Sequence, residues 1–240
     1  MRFDQGEFDI RCEWGIAGVR HFAANSDAIV IVDVLSFSTC VAIAVGQGAV
    51  VYPYRWQDES AASYANTLGA VLAGSRRQSL SGYSLSPASL LNIPAGTRLV
   101  LPSPNGATLS LATGPVPTFA GCLRNAQALA QALPQVGPRI SLIPAGERWP
   151  DGSLRPAFED VIGAGAIIHR LAGRKSPEAA MAEGAFLHFR AQLPDCLRHC
   201  SSGKELIDRG FARDVEVAAV LDQETCAPVL RAGAYVSYMA

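Results

Sequence analysis

Residues 28–48 set the tightest limit on what this chain can fold into. They place an unbroken apolar run, residues 29–32, directly before an acid, Asp33, and then a set of small hydroxyl residues, Ser36, Ser38 and Thr39. A short apolar run bounded by polar residues suits a strand covered on both faces, as in a parallel or mixed sheet. Small hydroxyl residues cap helices, so residues 40–45 are predicted as a small-residue helix ended by Gly46 or Gly48. The acid then stands at the carboxyl end of a buried strand beside free N–H groups of a helix start. Open α/β sheets bind ligands at such places, and the helix dipole favours an anion there. A plainer role for Asp33, capping the helix or ending the strand, stays open beside the functional one.

The same unit recurs along the chain. Strands are expected at residues 8–12, 49–54, 70–73, 98–101, 117–120 and 139–143, and a closing strand pair at 228–238. Helices are expected at 61–68, with its start at Asp58, from Leu109, at 126–133, from Phe158 and at 178–190. Ser202 and Glu205 stand three apart, as in a capping box. Residues 13–27 read as a loop around Trp14 and Gly15, and residues 78–91 as a long polar loop of the kind that often carries function. After the strand at 98–101 come Ser103, Asn105, Gly106 and Thr108. Asn-Gly supplies backbone angles that turn consecutive N–H groups toward one anion. The helix from Phe158 opens on Glu159 and Asp160, and its Gly163 and Gly165 give a smooth face for close approach to a neighbour. Repeated alternation without a break in composition argues for one α/β domain over residues 1–240, with a division into two lobes left open.

Composition narrows the function. A net charge of -1 and a pI near 6.4 give no positive field for nucleic acid or anionic membrane. No stretch reaches the roughly 18 apolar residues of a membrane span, and the first residues do not resemble a secretory signal, so a cytoplasmic protein is expected. The six cysteines are spread widely and read as reduced thiols. Cys196, His199 and Cys200 share a helix face in a pattern that suits zinc, but no second pair lies nearby, so buried thiols at a helix end are the alternative.

Four segments together resemble the 2-phosphosulfolactate phosphatase family. They are the run from Val32 to Leu35 with its hydroxyl continuation, the Ser103–Ala107 turn, the run from Phe158 to Gly165, and the run from Ser202 to Phe211 continuing through Asp214 to Ala219. They stand in family order across nearly the whole chain. The resemblance implies a three-layer α/β/α sandwich with a mixed, largely parallel sheet, and a Mg2+-dependent phosphatase acting on phosphosulfolactate in coenzyme M synthesis. The chain departs from the family pattern at Ser36, where arginine is usual, at Ser75, where an acid is usual, and at Tyr83 to Ser89.

Hydrolysis of a phosphate monoester requires charge neutralisation on the phosphoryl oxygens, a positioned nucleophile and a proton for the leaving oxygen. Asp33, Glu159 and Asp160 are the candidate catalytic acids, with Asp33 and Glu159 as hard ligands for Mg2+. Ser36, Ser38, Thr39, Ser103, Asn105, Gly106 and Thr108 form the expected phosphate cradle, and Arg76 offers a fork for phosphate or sulfonate. No Asp-x-Asp follows a strand and no cysteine has an arginine six residues on, so other phosphatase chemistries fit worse. The expected partner is a small anionic phosphorylated substrate, with a homodimer left open. A non-catalytic or altered-specificity protein that binds an anionic metabolite is the second class of function. Asp33→Ala is expected to abolish Mg2+-dependent activity without unfolding the chain.

Overall fold

A mixed sheet of nine strands carries the fold in the computed structural model, which describes residues 4–76 and 82–239. On one flank, β1 (Ile10–Cys12), β7 (Ile140–Pro144), β2 (Ala28–Val32) and β6 (Thr118–Gly121) lie parallel in that order. On the other, β3 (Val50–Tyr54), β5 (Arg98–Pro102) and β4 (Val71–Leu72) are again parallel to one another. The hairpin of β10 (Pro228–Arg231) and β11 (Ala234–Ser237) joins them, and every pairing from β6 through β10 and β11 to β3 is antiparallel. Three successive reversals therefore set the two parallel flanks in opposite directions.

Helices cover both faces of the sheet, giving the three layers expected. The apolar run of β2 is buried throughout. Its Ala28, Val30 and Val32 join the core under α5 (Ala126–Ala132) and α6 (Phe158–Ile168), while Ile29 and Ile31 join a second core with α1 (Gly15–Phe22) and α4 (Gly106–Ser110). The segment predicted as a loop around Trp14 is thus in large part a helix, with Val19 and Phe22 buried. α2 (Phe37–Gly46) begins three residues before the predicted start and is buried from Phe37 to Val45. A helix without a polar stripe belongs inside a protein, and this one touches β6, β3 and β11. The smooth face of α6 meets α7 (Pro177–Phe189): a Cβ on Gly165 would stand 2.0 Å from the carbonyl oxygen of Ala182.

Two expectations are corrected in the helices that follow. In α9 (Ser201–Asp208) the cap is Cys200, whose Sγ accepts from the Gly203 N–H at 3.3 Å; Ser202 lies within the first turn, so the predicted capping box is not formed. A thiol that also donates to the Leu197 carbonyl, with His199 Nδ1 against the Asp195 carbonyl, is committed to ending α8 (Leu193–His199). Among the described residues no three His, Cys, Asp or Glu side chains are grouped to hold a metal, which removes the case for zinc at 196–200. α10 (Ala212–Ala218) takes Asp214 into its first turn. α3 (Glu59–Leu68) starts where expected, with Asp58 accepting from the Ser60 N–H. Of the predicted loop 78–91, residues 78–81 lie outside the described residues. Among the described residues no helix is long and apolar enough to cross a membrane.

Candidate active site

Asp33 leaves the end of β2 and immediately collects backbone donors. Its Oδ1 accepts from the Phe37 N–H at 3.1 Å, and its Oδ2 from the Gly106 N–H at 2.9 Å. The second bond ties the loop after β2 to the loop after β5, which belongs to the opposite flank. It requires glycine at 106, because a Cβ there would stand 2.3 Å from the Phe37 ring and 2.8 Å from Asp33 Oδ2. The Asp33 N–H donates to Ser38 Oγ, which itself donates to the Ile31 carbonyl. Thr39 Oγ1 donates to the Val34 carbonyl at 2.7 Å. Ser38 and Thr39, both fully buried, are spent on holding this turn and do not offer their hydroxyls to a phosphate cradle.

Asp160, in the first turn of α6, mirrors this arrangement. Its Oδ1 accepts from the Val34 N–H and its Oδ2 from the Gly146 N–H, both at 2.8 Å, so it joins the loops after β2 and β7. Glu159 precedes it, 2% exposed, with the Cys200 thiol beside its carboxylate. Burial, then the charge of Glu159, push that thiol up to about 12. A fourth acid lies in the segment after β7. Glu147, in the short strand β8 (Glu147–Arg148), accepts from Asn105 Nδ2 at 3.0 Å.

These acids share one field. Burial first and the charge of Glu147 next push Asp33 up to about 7, against the two backbone hydrogen bonds that favour its charged form; Glu159 adds to the rise. Asp160 is raised well above the usual carboxylate range by burial, Glu159 and Asp33. Glu147 is raised by burial and Glu159, with Asn105 and Arg155 acting the other way. Desolvated like charges of this kind resist ionisation until a cation or a cationic side chain joins them.

Arg76 stands at the next position around the turn. Its Nη2 donates to Ser36 Oγ at 2.6 Å and its Nε to Asp214 Oδ2 at 3.3 Å, with its guanidinium over the Phe211 ring. Asp214 is 1% exposed and also accepts from Ser86 Oγ and the Ala88 N–H, so it gathers the far end of the long loop.

A cavity of about 370 Å³ opens beside Asn105 and Glu147 and is lined also by Thr108, whose Oγ1 is buried without a hydrogen-bond partner. A larger one of about 630 Å³ lies against the β10–β11 hairpin, and none of the expected site residues lines it. The structure therefore brings Asp33, Asn105, Gly106, Glu159 and Asp160 together, puts Ser36 and Arg76 next to them and Thr108 on the cavity wall. Ser103 is buried at the end of β5, its N–H donating to the Tyr54 carbonyl. Sequence reasoning assigned no role to Glu147 or Asp214. The signal for Glu147 was its place in the loop after a buried strand, the same context that singled out Asp33.

The model of the 2-phosphosulpholactate phosphatase family matches residues 18–233. A probable 2-phosphosulfolactate phosphatase of Carboxydothermus hydrogenoformans is 34% identical over 208 residues, covering 83% of this chain and 84% of its own. The 2-phosphosulfolactate phosphatase of Methanothermobacter thermautotrophicus is 30% identical over 211 residues, covering 87% and 89%. A probable 2-phosphosulfolactate phosphatase of Parasynechococcus marenigrum is 30% identical over 220 residues, covering 85% and 89%. With acids, amide donors and an arginine drawn from separate loops to one place, and with likeness over most of its length, the chain belongs to the 2-phosphosulpholactate phosphatase family of phosphoric monoester hydrolases.

Proposed function

We propose that the protein is a Mg2+-dependent phosphatase of small acidic phosphate monoesters, with 2-phosphosulfolactate, the substrate named for its relatives, as the starting candidate. The observation that carries this reading is the meeting of Asp33 with the Gly106 amide in the field of Glu147 and Glu159. The fit to Mg2+ rests on the donor set: Asp33 and Glu159 are buried hard carboxylates, the charge of Glu159 reaches Asp33, and together they would supply the one or two carboxylates that the ion takes alongside water. Bound there, Mg2+ supplies charge neutralisation on the phosphoryl oxygens.

The chain's own groups do the rest. The Asn105–Gly106 turn orients the ester, and Arg76, braced by Asp214 and Ser36, offers its guanidinium to an anionic group of the substrate. Asp160 holds the loops after β2 and β7 in register, so Asp33 meets the ester in a fixed orientation. In the reaction the bond from phosphorus to the ester oxygen breaks, a bond from phosphorus to the oxygen of water forms, and the proton of that water ends on the leaving alkoxide. The test is phosphate release from 2-phosphosulfolactate and other phosphorylated hydroxy acids, with Mg2+ or with EDTA. Turnover that EDTA abolishes and Mg2+ restores is expected. Absence of turnover on every ester, or turnover indifferent to EDTA, overturns the reading.

A further inference from the structure

The short hairpin after β7 sets two opposite charges on one face. Glu147 of β8 stands directly across from Arg155 of β9 (Leu154–Arg155), and side chains opposite one another on an antiparallel pair share a face. Asn105 holds Glu147, while Arg155 donates from Nη2 to the Oγ of Ser202, in the first turn of α9, at 3.1 Å. The same guanidinium lies over the Trp149 ring, 5.8 Å from its centroid. Ser202 is 5% exposed and stands two residues after Cys200, whose thiol is beside Glu159. Arg155 therefore reaches from the acid of β8 to the start of α9, along the edge of the acid group.

Its charge is not matched as its neighbours' charges are. Arg76 is paired with Asp214 at 3.3 Å, and Glu205 of α9 with Arg209 at 2.9 Å. Among the described residues the half-buried Arg155 side chain makes its one hydrogen bond to Ser202 and no ion pair. A guanidinium carries five N–H donors in one plane, so most of those of Arg155 are left for another acceptor. Ser202 accepts from Arg155, and its own proton has no acceptor among the described residues. A cation and a buried hydroxyl, on two different elements, thus offer donors to the same place.

Besides its phosphate, 2-phosphosulfolactate carries a carboxylate and a sulfonate. A planar carboxylate is met by a single guanidinium fork, whereas three sulfonate oxygens call for donors from more than one direction. Resting on the phosphatase reading above, we infer that Arg155, together with the Ser202 hydroxyl, binds the sulfonate of the substrate and sets the preference for sulfonated esters. The phosphate then lies toward Asp33 and Asn105, the carboxylate at Arg76 and the sulfonate at Arg155. Glu147 does not oppose this, because Asn105 engages its carboxylate and Mg2+ held by Asp33 and Glu159 offsets the negative charge of the group.

The experiment compares kcat/KM for 2-phosphosulfolactate and 2-phospholactate, which differ only by the sulfonate. A wild-type preference of at least about tenfold for the sulfonated ester is expected, in line with a hydrogen-bonded charge. In Arg155→Met, kcat/KM on that ester should fall at least about tenfold, chiefly through KM, while on 2-phospholactate it stays within about threefold. Arg155→Lys, which keeps the charge without the fork, should recover part of the loss. A wild type indifferent to the sulfonate overturns the inference, and so does an equal loss on both esters, which is what bracing of α9 alone would give. If 2-phospholactate is not turned over at all, a loss on the sulfonated ester that Arg155→Lys partly restores supports the inference, and no loss, or a loss without recovery, overturns it. If neither ester is hydrolysed, the phosphatase reading fails by itself, and calorimetry with 3-sulfolactate in the presence of Mg2+ decides the sulfonate site. Saturable binding that Arg155→Met weakens at least about tenfold supports it; no binding, or binding that the substitution leaves unchanged, overturns it.

Discussion

Asp33 and Asp160 are both buried aspartates that each gather two backbone N–H groups, and they differ in the elements those donors come from. Asp160 takes its donors from Val34 and Gly146, at the ends of neighbouring strands that run the same way. Asp33 takes one donor from its own turn, at Phe37, and the other from Gly106, at the end of a strand that runs the opposite way. One acid staples two loops of a single flank. The other sits where two flanks meet, one residue from the Asn105 that holds Glu147. Equal hydrogen-bond counts thus conceal different placements, and on the function proposed above it is the acid between the flanks that meets the ester.

Substitutions at the two acids sharpen that contrast. Asp33→Asn should lower kcat on any accepted ester by about a thousandfold, as loss of a preorganised charged group does, while urea denaturation shows a folded protein. Asparagine keeps one acceptor and loses the other, so it should cost about 2 kcal/mol, as at Asp160, and is the milder probe. Alanine would strand the Phe37 and Gly106 N–H groups, so Asp33→Ala is expected to cost stability as well as activity, about 2 kcal/mol for each buried donor left alone. The pH dependence comes next in size. Asp33 ionises at about 7 in the folded chain against an ordinary 3.8. A group raised in this way contributes its stability below the unfolded value and loses it as pH rises through the folded one. Without divalent cation, the wild type should therefore lose Tm relative to Asp33→Asn between pH 4 and pH 7, by roughly 5 °C. Mg2+ should restore it at pH 7, and parallel melting curves for the two proteins would contradict the assignment.

Gly106→Ala should destabilise the chain by about 3 kcal/mol, since its Cβ would overlap Phe37 and Asp33. Asp160→Asn, which keeps one acceptor and loses the other, should cost about 2 kcal/mol in urea unfolding while KM in the folded fraction stays within about twofold. A kcat loss at Asp160 as deep as that at Asp33, with stability intact, would erase the distinction. The smallest effect belongs to Thr39→Val. It removes one buried hydrogen bond to the Val34 carbonyl and about 1 kcal/mol, and leaves KM unchanged if the hydroxyl is structural; a tenfold rise in KM would return Thr39 to the phosphate cradle.

Much of this was legible in the chain itself, because the period and content of the segments carry it. The run at residues 29–32 announced a strand buried on both faces, and β2 divides its side chains between two cores as that reading requires. The glycines of α6 announced close helix packing, and Gly165 meets the Ala182 carbonyl. α1 escaped because it is eight residues long and holds two glycines, Gly15 and Gly18, which read as turn residues; its apolar face is defined only by the sheet it covers. Ser38 and Thr39 were misjudged for a related reason. A hydroxyl can serve a ligand or a backbone carbonyl, and only coordinates tell which carbonyl is near. The direction of the second flank was equally hidden, since it depends on a hairpin more than a hundred residues beyond β5 in sequence.

That hairpin has a bearing on how the protein is made. β10 and β11 stand in the middle of the sheet and are drawn from residues 228–237. A nascent chain still short of Pro228 has both flanks but not the pair of strands that separates them. Each flank can gather its own helices while the ribosome is still at work, yet the Asp33–Gly106 bond that spans them forms in its final setting only after the last strands arrive. The bond between the two flanks is thus a property of the sheet once β10 and β11 are in place.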